Sequence, residues 1–319
     1  MKRSRTHLLA AVAVMALVAA GCSDDDSKGS DDGSGDGGGG DAVTIGFITK
    51  FPVDFYDIMV DAAKEWDSGE DGAEVLYAQG KSGTDDEGEI AAIQSFVTQQ
   101  VDAIVIAPTS PNVQDDLQKA VDAGIVVVLV DNDIPDWDGK TSVVATDNKA
   151  GGELAGQWLA DNLPEGAQLA ILQGVLGNPS LDDRVTGMKE GLGDAAEIVA
   201  DPAADCDQTK GLDAAQDILT ANPELDAIYA ACSPSLIGAI EAVDAAGMTG
   251  LIMVGFDAAP DELAAIAEGT ETATVAQFPD KMGSMSVQAA FDAVSGKDVE
   301  PSIDTGTEIV TKDNLADFQ

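Results

Sequence analysis

The sequence is poor in basic residues, histidine and cysteine. It holds 16 Lys and Arg against 58 Asp and Glu, which gives a formal net charge of −42. Nucleic acid and anionic membrane surfaces are therefore poor partners, because both are bound through positive charge. The single histidine, His7, lies near the amino terminus. Histidine-based triads, histidine general bases and histidine metal sites are therefore excluded from the remainder of the chain.

A short apolar run opens the chain and ends at a cysteine. Residues 8–20 consist of Leu, Ala, Val and Met, and three basic residues precede them. This is the charged start and apolar centre of a signal peptide, and it is shorter than the roughly 20 residues of a membrane-spanning helix. The stretch 17–22 resembles the bacterial lipobox, which implies a signal peptide over 1–21 and lipidation of Cys22. An ordinary secretory signal beside an accidental cysteine is the alternative.

The segment after Cys22 cannot form a core. Residues 22–41 read CSDDDSKGSDDGSGDGGGGD, and no large apolar side chain is available for burial. Such a segment does not offset its ordering entropy, so a flexible acidic Gly/Ser linker is predicted. The linker and the predicted lipidation of Cys22 together predict a domain that is tethered to the extracytoplasmic face of the cell membrane.

Strand and helix patterns alternate along the first half of the chain. VTIGFIT (43–49) is rich in β-formers, and the apolar positions from Phe55 to Trp66 that follow it recur at helical spacing. The unit then repeats, and IVVVLV (125–130) is a continuous apolar strand. Such strands indicate a parallel sheet buried on both faces by helices, so a doubly wound α/β domain is predicted.

A second, similar series begins after TSVVATDN (141–148) and runs to TATVAQ (272–277). Two such halves indicate two α/β domains with a cleft between them. Ligands of open parallel sheets bind beyond the carboxyl ends of the strands. The residues that follow each strand are therefore the candidate ligand contacts.

Six motifs in order carry a family resemblance: VVVLVDND, TDNKAGGELAGQWLA, LQG followed by DDRVTGM, DQTKGLDAAQDILTANPELDAIYA, VGFDAAPDE and VAQFPDKMG. Together they resemble the ribose-binding-like sugar receptors of ATP-driven bacterial importers, the type 1 periplasmic binding proteins related to LacI-type ligand domains. The resemblance spans essentially all of 42–312.

The resemblance implies two Rossmann-like lobes joined by three hinge strands. The amino-terminal lobe is expected over 42–145 plus 278–303, and the carboxyl-terminal lobe over 146–277 plus 304–319. It further implies a monomer that binds a small solute, a sugar or polyol, and delivers it to ABC permease subunits, with neither cofactor nor catalysis.

The ligand contacts are carried over residue by residue. Phe55 and Tyr56 match an aromatic pair whose rings stack on a sugar, although helix core is the alternative for either. Asp131, Asp257 and Gln277 match side chains that hydrogen-bond sugar hydroxyls. For the two aspartates the alternative is a helix cap at a strand end.

Two positions depart from the ribose receptors. Asn132 and Asp182 stand where those receptors carry arginines, so the pocket loses several N–H donors and gains an acceptor. Both are predicted ligand contacts, and ribose itself is not the expected ligand. Arg184 falls on a further family arginine and is interpreted as structural. Lys50, next to the first loop, could replace some of the lost donors, although an exposed lysine is the default expectation. An amine-bearing ligand also stays open, because five acids could compensate a cation: Asp54, Asp131, Asp133, Asp182 and Asp257.

Cys206 and Cys232 fall on sugar-site positions of the family, each after a strand of the same lobe. In an oxidising compartment a disulfide is expected, and a soft-metal site is the alternative.

Two other functional classes remain. A sensory lipoprotein that presents its closed, solute-bound form to a chemoreceptor or sensor kinase would have the same sequence features. A hydrolase with paired carboxylates would need two acids at a defined separation, which the sequence does not specify.

Overall fold

The computed structural model describes residues 42–69 and 72–318, with side chains from 42–66 and 72–318. The predicted signal peptide (1–21), Cys22 and the linker (22–41) lie outside these residues. Residues 40–319 form one compact unit, which contains both sheets and their covering helices.

Twelve strands and nine helices follow one another in near alternation over the described part of the chain. The strands are β1 (Val43–Thr49), β2 (Ala73–Gln79), β3 (Ala103–Ile106), β4 (Val126–Val130), β5 (Ser142–Ala145), β6 (Ala167–Leu172), β7 (Ala196–Ala200), β8 (Ala227–Ala230), β9 (Ile252–Asp257), β10 (Ala273–Ala276), β11 (Ser302–Asp304) and β12 (Glu308–Thr311). The helices are α1 (Asp54–Gly69), α2 (Asp86–Gln99), α3 (Gln114–Asp122), α4 (Asn148–Asn162), α5 (Pro179–Leu192), α6 (Gln208–Ala221), α7 (Ser233–Ala246), α8 (Pro260–Glu268) and α9 (Pro279–Val294).

These strands form two six-stranded sheets. The first has the order β11-β5-β4-β3-β1-β2 and is parallel throughout. The second has the order β12-β10-β9-β8-β6-β7, and its only antiparallel pair joins β12 to β10. The predicted α/β class with two doubly wound sheets is confirmed.

The chain passes between the two sheets three times. It leaves the first sheet after β5, returns between β10 and α9, and leaves again between β11 and β12. Helix α9 packs on the first sheet, where Met282, Val287 and Ala290 join a core with Phe47 and Val105. The first sheet is therefore completed by a segment that follows the second sheet in sequence.

In helix α1 the spacing of the apolar residues predicts some of the side chains that are buried. Met59 and Ala63 are fully buried on the face that the spacing predicts, whereas Ile58, counted on the same face, is 44% exposed. The predicted stripe is therefore broader than the face that α1 buries. Among the described residues, no helix has the length and apolar character needed to cross a bilayer.

Candidate functional site

The carboxyl end of β4 places a carboxylate beside the start of α1. Asp131 follows β4 directly, with φ of 66°, and its N–H donates to the carbonyl of Val144 in β5. The Tyr56 hydroxyl donates to Asp131 Oδ2 at 2.9 Å. Burial and the charge of Asp131 raise the pKa of Tyr56 well above its ordinary value. Tyr56 thus remains a neutral donor that orients the carboxylate.

The two predicted aromatic contacts differ in exposure. Tyr56 is 5% exposed and belongs to the core of the first sheet, whereas Phe55 is half-buried. Their ring centroids lie 5.4 Å apart in an edge-to-face arrangement, and Phe51 approaches Tyr56 in the same way at 5.6 Å. The ring of Phe55 is therefore the better placed of the two to stack on a ligand.

Lys50 lies in this site rather than in solvent. Its side chain is 11% exposed, and Nζ lies 3.6 Å from Asp131 Oδ2. Nζ also donates a hydrogen bond to Asn132 Oδ1. The expectation of an exposed lysine was wrong. The backbone after β1 passes close to Gly80. A Cβ added at Gly80 would lie 2.5 Å from the carbonyl oxygen of Lys50.

A buried glutamate lies near Lys50. Glu89 of α2 is fully buried, and its Oε2 accepts from the Thr109 N–H and hydroxyl, each at 2.9 Å. Its Oε1 has no partner among the described residues. Burial raises the pKa of Glu89 to about 7, against the opposing effects of the Thr109 hydrogen bonds and the Lys50 cation.

The second sheet contributes a carboxylate at the end of β9. Asp257 Oδ1 accepts from Gln277 Nε2 at 2.6 Å and from Arg184 Nη1 at 3.0 Å, and Oδ2 accepts from the Ser233 N–H at 3.2 Å. Burial raises the pKa of Asp257, and Arg184 opposes that shift. Asp257 and Gln277, predicted separately, are therefore parts of one hydrogen-bonded group.

Arg184 holds this group in place. Its guanidinium lies 3.9 Å from the ring centroid of Phe256, Nε donates to Asn148 Oδ1, and Nη1 also donates to the Ala231 carbonyl. Arg184 is 5% exposed, and its charge pairs with Asp257, a predicted ligand contact.

Two further carboxyl groups are buried behind β9. Glu262 accepts from the Ala259 N–H at 3.0 Å and from the Thr274 hydroxyl at 3.1 Å. Glu271 is 2% exposed, and neither of its side-chain oxygens has a partner among the described residues. Burial raises the pKa of both groups, and the charge of Asp257 raises that of Glu262 further.

Asn132 and Asp182, the two positions that depart from the ribose receptors, have different surroundings. Asp182 is exposed in the first turn of α5 and accepts from the Gly177 N–H at 3.1 Å, within its own loop. Asn132, after β4, donates from Nδ2 to Ser180 Oγ at 3.2 Å. Because Ser180 belongs to α5 of the second sheet's lobe, this bond joins the two lobes across the cleft.

Cys206 and Cys232 are neighbours. Their Cα atoms lie 5.4 Å apart and their sulfur atoms are within bonding distance. Cys232 is 3% exposed and directly precedes Ser233, whose N–H binds Asp257. No group of Cys, Asp or Glu side chains suited to a metal ion occurs in residues 42–66 and 72–318.

A cavity of about 410 Å³ lies apart from the residues around Asp131 and Asp257, at the amino-terminal ends of β3 and β4. Val101, Asp102, Ile125, Val126 and Val294 are among the residues that line it, and none of the predicted ligand contacts does. In parallel α/β sheets the carboxyl ends of the strands carry the ligand site. The clusters around Asp131 and Asp257 are at those ends and therefore define the candidate site.

From the sequence, Lys50 was a possible replacement for the lost donors but an exposed lysine by default, and Glu89 was not considered. A signal for Lys50 exists, since it directly follows β1 at the same edge as Asp131. Glu89 lies on the face of α2 that includes Ile93 and Phe96, so a charged residue in an apolar helix stripe was the available signal.

Comparisons with known proteins agree with this architecture. A family model described as a periplasmic binding protein domain matches residues 45–298. The ribose import binding protein RbsB of Bacillus subtilis is 32% identical over 229 residues, which cover 72% of this chain and 74% of that protein. The D-allose-binding periplasmic protein of Escherichia coli is 32% identical over 252 residues, covering 75% and 80%.

Among solved structures, an ABC transporter solute-binding protein from Bacillus halodurans with bound myo-inositol aligns with a TM-score of 0.80. The two chains are 28% identical, and the alignment covers 88% of this chain and 98% of the other. The similarity therefore extends over both sheets.

Proposed function

Since the chain belongs to the periplasmic binding protein family, in its branch of sugar-binding components of ABC transporters, we propose that it is a membrane-anchored importer receptor for a neutral monosaccharide or polyol other than ribose. Members of this family bind solutes and are not enzymes. The proposed contacts are Phe55, Tyr56, Asp131, Asn132, Asp182, Asp257 and Gln277.

The observation that carries this proposal is the charge balance of the cleft. Asp131 has Lys50 at 3.6 Å, and Asp257 has Arg184 at 3.0 Å. Each carboxylate thus keeps acceptor oxygens for hydroxyl groups, while its charge is already compensated by the protein. A neutral ligand with several hydroxyl groups matches such a site.

The same balance argues against an amine-bearing ligand. Such a ligand would need a carboxylate whose charge is uncompensated, because burying a second cation beside an existing pair is unfavourable. Asp133, a further candidate, pairs with Lys140 at 2.6 Å. Three of the five acids that could compensate an amine therefore already have a cation of their own. The other two, Asp54 and Asp182, are exposed to solvent, which weakens their attraction for a cation.

Selection against ribose is inferred from the donors of the site. Asn132 and Asp182 replace two arginines of the ribose receptors, so planar guanidinium forks are absent at those positions. Lys50 supplies a point charge with different geometry. The relatives named above are described as receptors of ribose, D-allose and myo-inositol, so the proposed preference for a ligand other than ribose rests on the donors of the site.

The anchor is inferred from the sequence alone. Lipidation at Cys22 and a flexible linker over 22–41 would hold the receptor on the extracytoplasmic face of the membrane, near its permease. A tether of this kind raises the effective concentration of receptor at the permease. Metabolic labelling with a fatty acid tests it: label is expected in the wild type and absent from Cys22→Ser.

The ligand class is tested by calorimetry and thermal shift on residues 40–319 with D-ribose, D-allose, myo-inositol and D-glucosamine. A bound neutral ligand at about 100 times its Kd should stabilise the protein by roughly 2.7 kcal/mol. Binding of D-allose or myo-inositol in preference to D-ribose is expected. Preference for D-glucosamine would overturn the neutral-ligand proposal, and preference for D-ribose would overturn the selection against it.

A further inference from the structure

Lys50, Asn132 and Ser180 form a continuous polar chain across the cleft. The Lys50 ammonium donates to Asn132 Oδ1, and Asn132 Nδ2 donates to Ser180 Oγ at 3.2 Å. Lys50 and Asn132 follow β1 and β4 of the first sheet, and Ser180 lies in the first turn of α5 in the other lobe.

Lys50 determines which way the Asn132 amide faces. An ammonium group donates only, so its partner must be the amide oxygen. The amide NH₂ of Asn132 then points away from Lys50 and toward Ser180. Without the cation, the amide could rotate and present its oxygen to either neighbour. The orientation of the interlobe donor is thus fixed by a residue two strands away in the sheet.

Both ends of the chain are held by rigid backbone. Asn178 caps α5 through its side chain, and Pro179 occupies the first turn, so the position of Ser180 is fixed. At the other end, the close approach of Gly80 fixes the turn at Lys50. Closing the cleft therefore requires little rearrangement of these side chains.

The same ammonium also contacts a predicted ligand residue. Lys50 Nζ lies 3.6 Å from Asp131 Oδ2, the oxygen that accepts from Tyr56. A ligand hydroxyl that binds Asp131 therefore acts on the group that orients Asn132. This shared contact connects ligand binding to the interlobe bond.

We propose that Lys50 is a positioning residue that couples the occupancy of Asp131 to lobe closure through the Asn132–Ser180 bond. The proposal rests on the proposed function only in that the cleft binds a solute. Because the Asn132–Ser180 bond joins the two lobes, it contributes only while the lobes are close enough for these side chains to touch. In this proposal Lys50 and Ser180 therefore act after the ligand has entered. Weakening this bond should therefore raise koff and leave kon unchanged.

The test is stopped-flow binding of myo-inositol or D-allose to residues 40–319 carrying Lys50→Met, Ser180→Ala or both. Lys50→Met is expected to raise koff about 10- to 100-fold, and Ser180→Ala about 3- to 10-fold. The double variant should be no worse than Lys50→Met alone, since both remove one chain of contacts. Lys50→Arg keeps the N–H donors and the charge, so its koff should lie close to that of the wild type.

Matched controls separate this role from general destabilisation. Lys297 forms a surface ion pair with Asp292, and Ser284 bonds carbonyls of its own helix α9. Lys297→Met and Ser284→Ala should leave koff unchanged. Additive effects of Lys50→Met and Ser180→Ala, or a change confined to kon, would overturn the proposal even if the wild type binds the probes.

A ligand-free measurement distinguishes failure of this inference from failure of the proposed function. Spin labels on the two lobes report their separation in the free protein. A closed population that is reduced in both Lys50→Met and Ser180→Ala supports the coupling. Identical distributions in the wild type and both variants would overturn it, whether or not any of the probe sugars binds.

Discussion

Gln277 donates from Nε2 to Asp257 Oδ1 at 2.6 Å, so β9 and β10 present one acid and one amide as a unit. The two residues are neighbours because these strands pair in parallel and end at the same edge. Gln277 is 7% exposed, and its Oε1 has no partner within the described part of the chain. This oxygen is a buried acceptor without a partner, which a hydroxyl of the proposed ligand would satisfy.

Asp257→Asn is expected to weaken ligand binding by about 10- to 100-fold, because it removes a charged acceptor and the partner of Arg184. Calorimetric titration with D-allose and with myo-inositol measures the change. Asp261→Asn, an exposed acid on α8, is the matched control and should leave Kd unchanged. Equal affinity in Asp257→Asn and the wild type would remove Asp257 from the site.

Glu89 is expected to make stability depend on pH. Its folded pKa of about 7 exceeds the unfolded value near 4.5, so the folded state binds the proton more tightly. Stability therefore rises as pH falls from about 8 toward about 5, and the ionised form costs about 3 kcal/mol above pH 7.

The measurement for Glu89 is urea unfolding of the wild type and Glu89→Gln across this pH range. The variant is expected to be more stable relative to the wild type at pH 8, and the difference should shrink as pH falls. A difference that is constant with pH would show that Glu89 has the same pKa in both states.

Glu271→Leu is expected to stabilise the protein by about 1 to 4 kcal/mol, because it replaces a buried carboxyl without partners by an apolar side chain of similar size. The gain should be larger at higher pH, where the raised pKa of Glu271 no longer keeps it protonated. Denaturant unfolding at two pH values measures it, with the exposed Glu268→Leu as control. A loss of stability would indicate an internal partner for Glu271.

We expect Cys206 and Cys232 to form a disulfide in an oxidising compartment. A bridge over their 26-residue separation should contribute about 3 kcal/mol by the loop-entropy model. Thiol counting with a maleimide under denaturing conditions should find neither cysteine free. Replacing both by serine should lower the unfolding free energy by about 2 to 4 kcal/mol. Two reactive thiols in the untreated protein would contradict the pairing.

The strands and most helices could be predicted because their signals are local. VTIGFIT (43–49) coincides with β1, IVVVLV (125–130) contains β4, and TATVAQ (272–277) contains β10. Strands β11 and β12 are three and four residues long and lack an apolar run, so they depend on pairing with distant strands. A short edge strand carries too little pattern to be recognised from its own residues.

The candidate site was predictable only in part for the same reason. Asp131, Asp257 and Gln277 lie at strand ends, which periodicity locates, and the resemblance identified them. The inward turn of Lys50 and the Asn132–Ser180 bond depend on how two lobes meet, which no local pattern encodes. The partnerless carboxyl of Glu271 could not be foreseen either, because its neighbours come from the packing of β9 and α8.

The order of the elements has a consequence for biosynthesis. The core of the first sheet needs Met282 and Val287 of α9, which leave the ribosome only after the whole second sheet has been made. The nascent chain therefore cannot complete its first lobe while most of it is still being synthesised. For the proposed export of the chain in an unfolded state, this delay is an advantage, because the first lobe then completes its folding on the far side of the membrane.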